Sequence, residues 1–152
     1  MIAVVQRVSR AEVRVPDQSY RAAIDLGLMV LLGVETGDTR KNVDWMAWKI
    51  ANLRIFADDD GNMNRSVIDV GGSVLVVSQF TLAGDCRKGN RPSFIRAARP
   101  AEANELYEYF VDRIRDTEGV PAATGVFQAM MEVELVNQGP VTLIVEQSPG
   151  SK

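Results

Sequence analysis

The sequence predicts a single-domain α/β fold, a layered β/β/α arrangement in which a mixed sheet carries about two main helices. The chain has 152 residues, the usual size of one domain, and 46% of them are hydrophobic, which is enough to bury a core. About six or seven segments have the period or the apolar character of strands, whereas two have the period of helices. This excess of strands favours a sheet with the helices packed on it.

Four strands are predicted before the first helix. Residues 2–8 and 11–15 are rich in valine, and apolar and polar residues alternate in the second segment, as in a half-buried strand. A turn signal over residues 16–18 precedes a third short strand over residues 20–24. The apolar run 28–34 has the length of a strand and predicts a central strand that is buried on both faces.

The chain then changes to a helical period. Apolar residues between 43 and 51 recur at the positions of one helical face, and either Asp38 or Thr39 could cap this helix. Residues 58–62 are rich in aspartate but lack the ligand pattern of a calcium loop, so they predict an acidic turn.

The second half of the chain predicts one more helix and three more strands. A β-prone run over residues 73–80 is followed by a polar loop over residues 82–92. Pro100 stands where the first turn of the second helix accepts a proline. Two last strands are predicted over residues 126–136 and 141–146.

The composition excludes several catalytic mechanisms. The chain has no histidine and one cysteine, Cys86, which excludes a Ser–His–Asp triad, a Cys–His pair and an intrachain disulfide. We expect no metal and no cofactor, because no segment has the spacing of metal ligands. Neither a signal peptide nor an apolar run of membrane-spanning length is found, which predicts a cytoplasmic protein without a membrane partner.

Positive charge is concentrated in one segment of a slightly acidic chain. Residues 87–100 carry five bases and no acid, whereas the net charge of the chain is −3. A solvated face is the simplest interpretation of this segment, and a local contact with phosphates or with an RNA end is the alternative. The net charge argues against non-specific coating of nucleic acid, and we expect no DNA partner.

Ser78, Gln79 and Thr81 lie where a predicted strand ends, a common position for binding residues. A threonine hydroxyl is a nucleophile only when a base removes its proton, so hydrogen bonding is the simpler role in a chain without histidine. The Gln79 amide can hold a ligand but cannot transfer protons. Gly139-Pro140 stands between the last two predicted strands, where a hairpin turn is the simplest interpretation.

Three motifs resemble the signature of the D-aminoacyl-tRNA deacylases. They are Ser-Gln-Phe-Thr-Leu over residues 78–82, Lys-Gly-Asn-Arg-Pro-Ser-Phe over 88–94 and Asn-Gln-Gly-Pro-Val-Thr over 137–142. The similarity extends over residues 1–147 in the same order, which makes it far more specific than any one motif. The remaining tail, residues 147–152, is expected to be disordered.

The resemblance implies an enzyme that hydrolyses the ester linking a D-amino acid to the terminal adenosine at the tRNA 3′ end. It also implies release of glycine mischarged onto tRNA. Residues 1–152 would form one domain of a homodimer with its active site at the interface. The Gly139-Pro140 peptide would be cis, would enter the partner's pocket and would exclude L-amino acids, with Arg7 bracing it. The other expected site residues are Ser78, Gln79, Phe80, Thr81, Phe127 and Met131, the last two near the adenosine.

An aminoacyl ester is already reactive, so positioning and backbone N–H donors can suffice for its hydrolysis. We expect Phe80 and Thr81 to contribute backbone N–H groups, while the neighbouring ribose hydroxyl of the substrate assists the attacking water. A Thr81 nucleophile is the less favoured variant. Three other hypotheses stay open: an RNA-end-binding module without catalysis, a small-molecule esterase or amidase that uses Thr81, and a structural dimer.

Overall fold

The computed structural model describes residues 1–150, which form an α/β domain with two α-helices. The strands are β1 (Ile2–Val15), β2 (Tyr20–Ile24), β3 (Gly27–Gly33), β4 (Phe56–Ala57), β5 (Met63–Arg65), β6 (Ser73–Ser78), β7 (Ala122–Thr124) and β8 (Glu132–Glu146). The helices are α1 (Arg40–Ala51) and α2 (Pro100–Asp112), and a π-helical turn over Arg113–Thr117 continues the second. No helix among the described residues is long and apolar enough to cross a membrane.

The main sheet is mixed, as predicted. Its strand order is β2-β1-β3-β6-β7, and β8 pairs with β1 on the other side. The first half of β1 pairs with β3 and its second half with β2, both antiparallel, whereas β3, β6 and β7 run parallel to one another. The sheet curls until its two ends approach each other, since the Tyr20 hydroxyl donates to the Thr124 carbonyl at 2.8 Å. The predicted α/β fold class is confirmed.

Two hydrophobic cores separate the layers. The larger core lies between the sheet and the helices, and the smaller one lies inside the curl of the sheet. Strand β3 contributes to both cores: Leu28 and Val30 face the helices, and Met29 faces the inner core. The prediction that this strand is buried on both faces is therefore confirmed, and it explains the continuous apolar run. The residues of the inner core are Val8, Ala11, Val13, Ile24, Met29, Leu75 and Val77.

Each helix begins at a residue type suited to that position. Thr39 caps α1 in a capping box with Asn42, which decides between the two predicted caps. Asp38 instead accepts a hydrogen bond from the Glu35 N–H at 2.7 Å. Helix α2 begins at Pro100, as predicted, and the chain leaves its π-helical extension near Gly119 at φ +69°. Together the two helices cover one face of the sheet.

Some strands differ from the prediction. Residues 2–8 and 11–15 form one strand, β1, because exposed Ser9 and Arg10 continue the extended chain across an irregularity in its pairing with β8. Strands β4 and β5 form a small hairpin around the predicted acidic turn. The sequence did not indicate β4, β5 or β7. These three strands have two or three residues each, too few for a periodic pattern. The predicted strand 73–80 ends at Ser78.

The interpretation of Gly139-Pro140 as a hairpin turn is wrong. Both halves of β8 pair with the same strand, β1, with Gln6 opposite Thr142 and Val8 opposite Asn137. Four residues of β8, 138–141, therefore stand opposite Arg7 alone, and we call this segment the Gly-Pro bulge. The strand also begins later than predicted, at Glu132, because a turn occupies the preceding residues.

The chain beyond β8 returns to the domain. The Gln147 N–H donates to the Met1 carbonyl at 2.9 Å, and the Asn42 side chain donates to the Ser148 carbonyl at 3.1 Å. The first residues of the tail that was expected to be disordered thus have defined partners. Residues 151–152 of that prediction lie outside the described residues.

Candidate active site

A cavity of about 710 Å³ opens beside the end of β6, and we call it the site cavity. The end of β6, the segment before α2 and the segment before β8 surround it. It brings together Ser78, Gln79, Phe80, Phe127 and Met131, five of the residues expected in the pocket. Its other lining residues are Leu32, Val34, Phe94, Ala97, Ala98, Arg99, Pro100, Ala103, Tyr107, Gln128 and Ala129.

The end of β6 is held closely against β3. The Gln79 N–H donates to the Leu32 carbonyl at 2.8 Å, and the chain then enters a 3-10 turn over Phe80–Ala83. Gly33 permits this approach, because a Cβ at that position would lie 2.9 Å from the Gln79 carbonyl oxygen. The first N–H groups of a helical turn have no acceptor within the turn. The N–H groups of Phe80 and Thr81, the first two residues of the turn, therefore have no acceptor within it.

Aromatic rings line two sides of the site cavity. The Phe80 and Phe94 rings meet edge to face with centroids 5.1 Å apart, and Phe80 is 59% exposed. The rings of Tyr107 and Phe127 lie 6.0 Å apart on the other side. The Tyr107 hydroxyl donates to the Val76 carbonyl at 2.9 Å, and burial raises the pKa of this phenol. Tyr107 is therefore neutral at ordinary pH and serves as a fixed apolar surface.

The segment before β8 packs tightly onto the end of the sheet. The Gly125 N–H donates to the Val76 carbonyl at 3.0 Å. The Met131 sulfur lies so close to Gly125 that a Cβ there would be 2.5 Å from it. Gln128 has a left-handed backbone conformation with φ +62° at the rim of the cavity. Such a conformation in a non-glycine residue is typical of tight turns at functional sites.

Thr81 is exposed, and its side chain does not line the site cavity. Within residues 1–150 its hydroxyl makes no hydrogen bond to a side chain that could remove its proton. The described residues also contain no group of three His, Cys, Asp or Glu side chains that could hold a metal ion. The backbone of Thr81 does have a defined partner, because its carbonyl accepts a hydrogen bond from the Gly84 N–H at 3.0 Å.

The Gly-Pro bulge is exposed and firmly anchored. Its Gly139-Pro140 peptide is cis, and Gly139 has φ +122°. Arg7 braces the bulge, because its Nε donates to the Gln138 carbonyl at 3.1 Å and its Nη1 to the Ile55 carbonyl at 2.5 Å. The cis peptide and the bracing arginine thus have the arrangement that the sequence resemblance implied.

Asn137 closes the base of the Gly-Pro bulge. Its Oδ1 accepts from the Val141 N–H at 2.9 Å, and its Nδ2 donates to the Val141 carbonyl at 3.1 Å. The same Nδ2 lies 3.1 Å from the Thr142 hydroxyl oxygen. One amide side chain thus replaces the ladder hydrogen bonds that the bulge interrupts. The sequence offered Asn137 as part of a motif but gave no sign of this role.

The Gly-Pro bulge does not line the site cavity of its own chain. None of Arg7, Gly139 and Pro140 is among the residues that surround the cavity. A second cavity of about 450 Å³ shares Gln79, Ala129 and Met131 with the first and opens towards β8. Val133, Val136 and Ile144 of β8 are exposed large hydrophobic residues, and Ile144 is 70% exposed. The bulge therefore lies between exposed hydrophobic residues of β8, with Val133 and Val136 before it and Ile144 after it in the sequence.

Sequence reasoning missed several residues of the site cavity. The motif over residues 88–94 contains Phe94 but indicates no role for it, and in the sequence Arg99 is one of the five bases of the basic segment. Tyr107 follows Pro100 in the predicted second helix, and its hydroxyl is the signal in the sequence for a role in the site. A buried tyrosine hydroxyl needs a hydrogen-bond partner, which fixes how its ring is presented.

Comparisons with known proteins agree over nearly the whole chain. The family model described as D-Tyr-tRNA(Tyr) deacylase matches residues 4–146. A protein of Geobacter sulfurreducens named D-aminoacyl-tRNA deacylase is 60% identical over 146 residues, which cover 96% of this chain and 95% of that protein. A protein of the same name from Koribacter versatilis is also 60% identical, over 96% of this chain and 97% of its own length.

Two solved structures have the same fold. The structure titled c-Myc DNA Unwinding Element Binding Protein has a TM-score of 0.89 and 40% identity, and covers 97% of this chain and 99% of its own. The structure titled as a probable eukaryotic D-amino acid tRNA deacylase has a TM-score of 0.82 over 95% of this chain and 97% of its own. At 16% identity, the second comparison supports the fold alone.

Proposed function

The chain belongs to the D-Tyr-tRNA(Tyr) deacylase family, and from this membership we propose that it hydrolyses the ester bond between a D-amino acid and the terminal adenosine of tRNA. As a member of this family it is a hydrolase that acts on aminoacyl ester bonds. The observation that chiefly supports the proposal is that one cavity, together with its edge, brings together the Ser78–Thr81 motif, Phe127 and Met131. The aminoacyl-tRNA pool on which the enzyme would act places it in the cytoplasm.

The site cavity suits the end of an aminoacyl-tRNA. Its volume of about 710 Å³ is within the range of sites that enclose small ligands, roughly 300–1,000 Å³. Aromatic side chains offer faces to a purine, and base–aromatic stacking stabilises binding of every base type. We assign Phe127 and Met131 to the adenosine, and Ser78 and Gln79 to the aminoacyl ester. The same cavity would accept glycine mischarged onto tRNA, since glycine has no side chain to exclude.

Selection against L-amino acids would come from the Gly-Pro bulge of a second copy. The bulge is exposed, is braced by Arg7 and does not reach the cavity of its own chain. Exposed hydrophobic residues stand on both sides of it in β8, Val133 and Val136 before it and Ile144 after it, and such residues favour burial of that face of the molecule between two protein chains. In a homodimer that buries this face, the carbonyls of Gly139 and Pro140 would enter the partner's cavity. They would accept hydrogen bonds from the amino group of a D-amino acid and exclude an L-side chain.

Catalysis would use backbone donors and the substrate's own hydroxyl. The N–H groups of Phe80 and Thr81 stand at the start of the 3-10 turn, where they can stabilise the developing oxyanion. The ribose hydroxyl next to the ester would assist the attacking water, since the described residues place no base beside Thr81. The absence of histidine from the sequence agrees with such a mechanism.

The proposed mechanism predicts that the Thr81→Ala variant retains turnover. Only the backbone of Thr81 contributes, so the rate of D-Tyr-tRNA hydrolysis should stay within about fivefold of the wild type, well short of the roughly 10²–10³-fold loss that removal of a transition-state donor causes. Thr117→Ala, which truncates an exposed threonine at the end of the π-helical turn, away from the site cavity, is the matched control. Loss of nearly all turnover, together with an acyl-enzyme trapped on Thr81, would overturn this mechanism.

The test of the proposed function is release of amino acids from charged tRNA. Because backbone carbonyls would select the configuration at Cα, we expect D-Tyr, D-Phe and D-Asp esters all to be hydrolysed, with rates that differ by no more than the roughly 10–200-fold that side-chain contacts contribute. L-Tyr-tRNA should remain intact in the same assay. Cleavage of only one D-ester would contradict selection by the backbone. Tight tRNA binding without release of D-tyrosine would favour an RNA-end-binding module instead.

A further inference from the structure

Three of the five bases in the loop over residues 87–99, which we call the basic loop, have no acidic partner. Arg87 pairs with Asp85 at 2.5 Å, and this hydrogen-bonded arginine holds the pKa of Asp85 well below its usual range. Arg96 pairs with Glu35. Among the described residues, Lys88, Arg91 and Arg99 form no ion pair, and all three are exposed. Their charges are therefore available to an anionic ligand.

Backbone hydrogen bonds hold the basic loop at two places, and the second of them is at the wall of the site cavity. At the first end, the N–H and carbonyl groups of Asp85 and Ser93 exchange hydrogen bonds of 2.7 and 3.0 Å. At the second end, the Ala98 N–H donates to the Val34 carbonyl at 3.0 Å. Lys88 and Arg91 lie between the bridged residues of the first end, at the tip of the loop. The backbone of the loop therefore has a defined path, and its second end forms part of the cavity wall.

Arg99 connects the basic loop to the site cavity. It lines the cavity directly, next to Pro100 at the start of α2. The site cavity of about 710 Å³ has room for an aminoacyl-adenosine but not for the nucleotides that precede it. The preceding strand must therefore leave over the rim, where it carries one phosphate per nucleotide. Among the described segments that contribute residues to the cavity lining, the basic loop is the one that carries a run of bases and no acid.

We infer that Lys88, Arg91 and Arg99 bind the phosphate groups of the single-stranded tRNA 3′ end and orient it for entry into the site cavity. This inference rests on the proposed function. It explains why the loop concentrates positive charge in a chain of net charge −3. Two paired arginines stabilise the ends of the loop, and three unpaired bases are left for the RNA. If the loop were only a solvated surface, this separation into ion-paired arginines and unpaired bases would serve no purpose.

The inference is tested by the salt dependence of RNA binding. The probe is a fluorescently labelled, uncharged RNA minihelix ending in CCA, and the measurement is its Kd by anisotropy over a series of KCl concentrations. Each phosphate contact to a single strand contributes about 0.7 to the slope of log K against log salt. In the variant Lys88→Gln/Arg91→Gln/Arg99→Gln the slope should therefore fall by about 2. The control variant Arg40→Gln/Lys41→Gln/Lys49→Gln removes the same charge from α1 and should keep the wild-type slope.

Hydrolysis separates phosphate binding from other roles of the loop. With D-Tyr-tRNA as substrate, the triple variant should lose roughly 10–100-fold in kcat/KM at low salt, mainly through KM. With D-tyrosyl-adenosine, which has no phosphate, the loss should be at least tenfold smaller. Equal losses with both substrates, or an unchanged binding slope, would overturn the inference. If the wild type cleaves neither substrate, the proposed function fails, while the binding slope still decides whether these bases contact RNA.

Discussion

Replacing Gly139 with alanine is expected to reduce D-Tyr-tRNA hydrolysis by at least about 100-fold, since a displacement of about 1 Å in a positioning group has an effect of this size. Gly139 has φ +122°, a backbone region that residues with a Cβ rarely adopt. An alanine Cβ would also lie 2.7 Å from Arg7 Nη2 and 3.0 Å from a Val141 methyl group. The bulge must shift to relieve these contacts, and the carbonyls of Gly139 and Pro140 would shift with it.

A matched glycine separates this loss from a general loss of stability. Gly61 also has a positive φ, +82°, but a Cβ there would meet nothing within 4 Å. Gly61→Ala should therefore destabilise the fold by about 1–3 kcal/mol, as strained backbone does, and leave turnover intact. The measurements are thermal unfolding and hydrolysis of D-Tyr-tRNA and L-Tyr-tRNA. If Gly139→Ala and Gly61→Ala have equal activities, the bulge has no part in the site.

The fold could be predicted where the sequence carries a long pattern. The apolar run of β3 indicated a strand buried on both faces, and Thr39 and Pro100 indicated where the helices begin. Short strands such as β7, with three residues of small size, carry no such pattern because their position depends on pairing with β6. Local propensity is informative only when many residues contribute to it.

The Gly-Pro bulge shows why pairing between distant strands escaped prediction. Read locally, a Gly-Pro pair between two strands indicates a hairpin. In the structure both flanking segments pair with β1, so the extra residues form a bulge opposite Arg7. The bulge is revealed only by the pairing register between β8 and β1. These strands are far apart in the sequence, since 131 positions separate Arg7 from Gln138. The family resemblance supplied what local reasoning could not: the cis peptide and its bracing arginine.

The site cavity was predictable in part for a similar reason. Residues 78–81 end a strand, and strand ends are common positions for ligand sites, so the motif could be interpreted without the structure. Tyr107 and Arg99 come from the helix α2 and from the segment before it, and nothing in their local sequence connects them with β6. Their contribution follows from the packing of α2 on the parallel strands, which places its first turns over the end of β6.

Proline in place of Phe80 is expected to reduce kcat by about 10²–10³-fold relative to alanine at the same position, the effect of removing one oxyanion donor. Phe80 is the first residue of the 3-10 turn, where proline fits because its N–H has no partner within the turn. The preceding residue, Gln79, has φ −145° and ψ 82°, which lies outside the α-helical region that a following proline disfavours. The substitution thus removes one N–H with little change to the fold.

The comparison with Phe80→Ala isolates the backbone from the ring. Both variants lose the ring that packs against Phe94, so both should bind substrate more weakly, but only the proline variant lacks the N–H. Arg40→Pro places a proline at the first position of α1, away from the site cavity, and controls for the effect of proline on a helical turn. Single-turnover hydrolysis of D-Tyr-tRNA measures the chemical step. Equal rates for Phe80→Pro and Phe80→Ala would show that the Phe80 N–H does not stabilise the oxyanion, and catalysis would then depend on the Thr81 N–H and the substrate's hydroxyl.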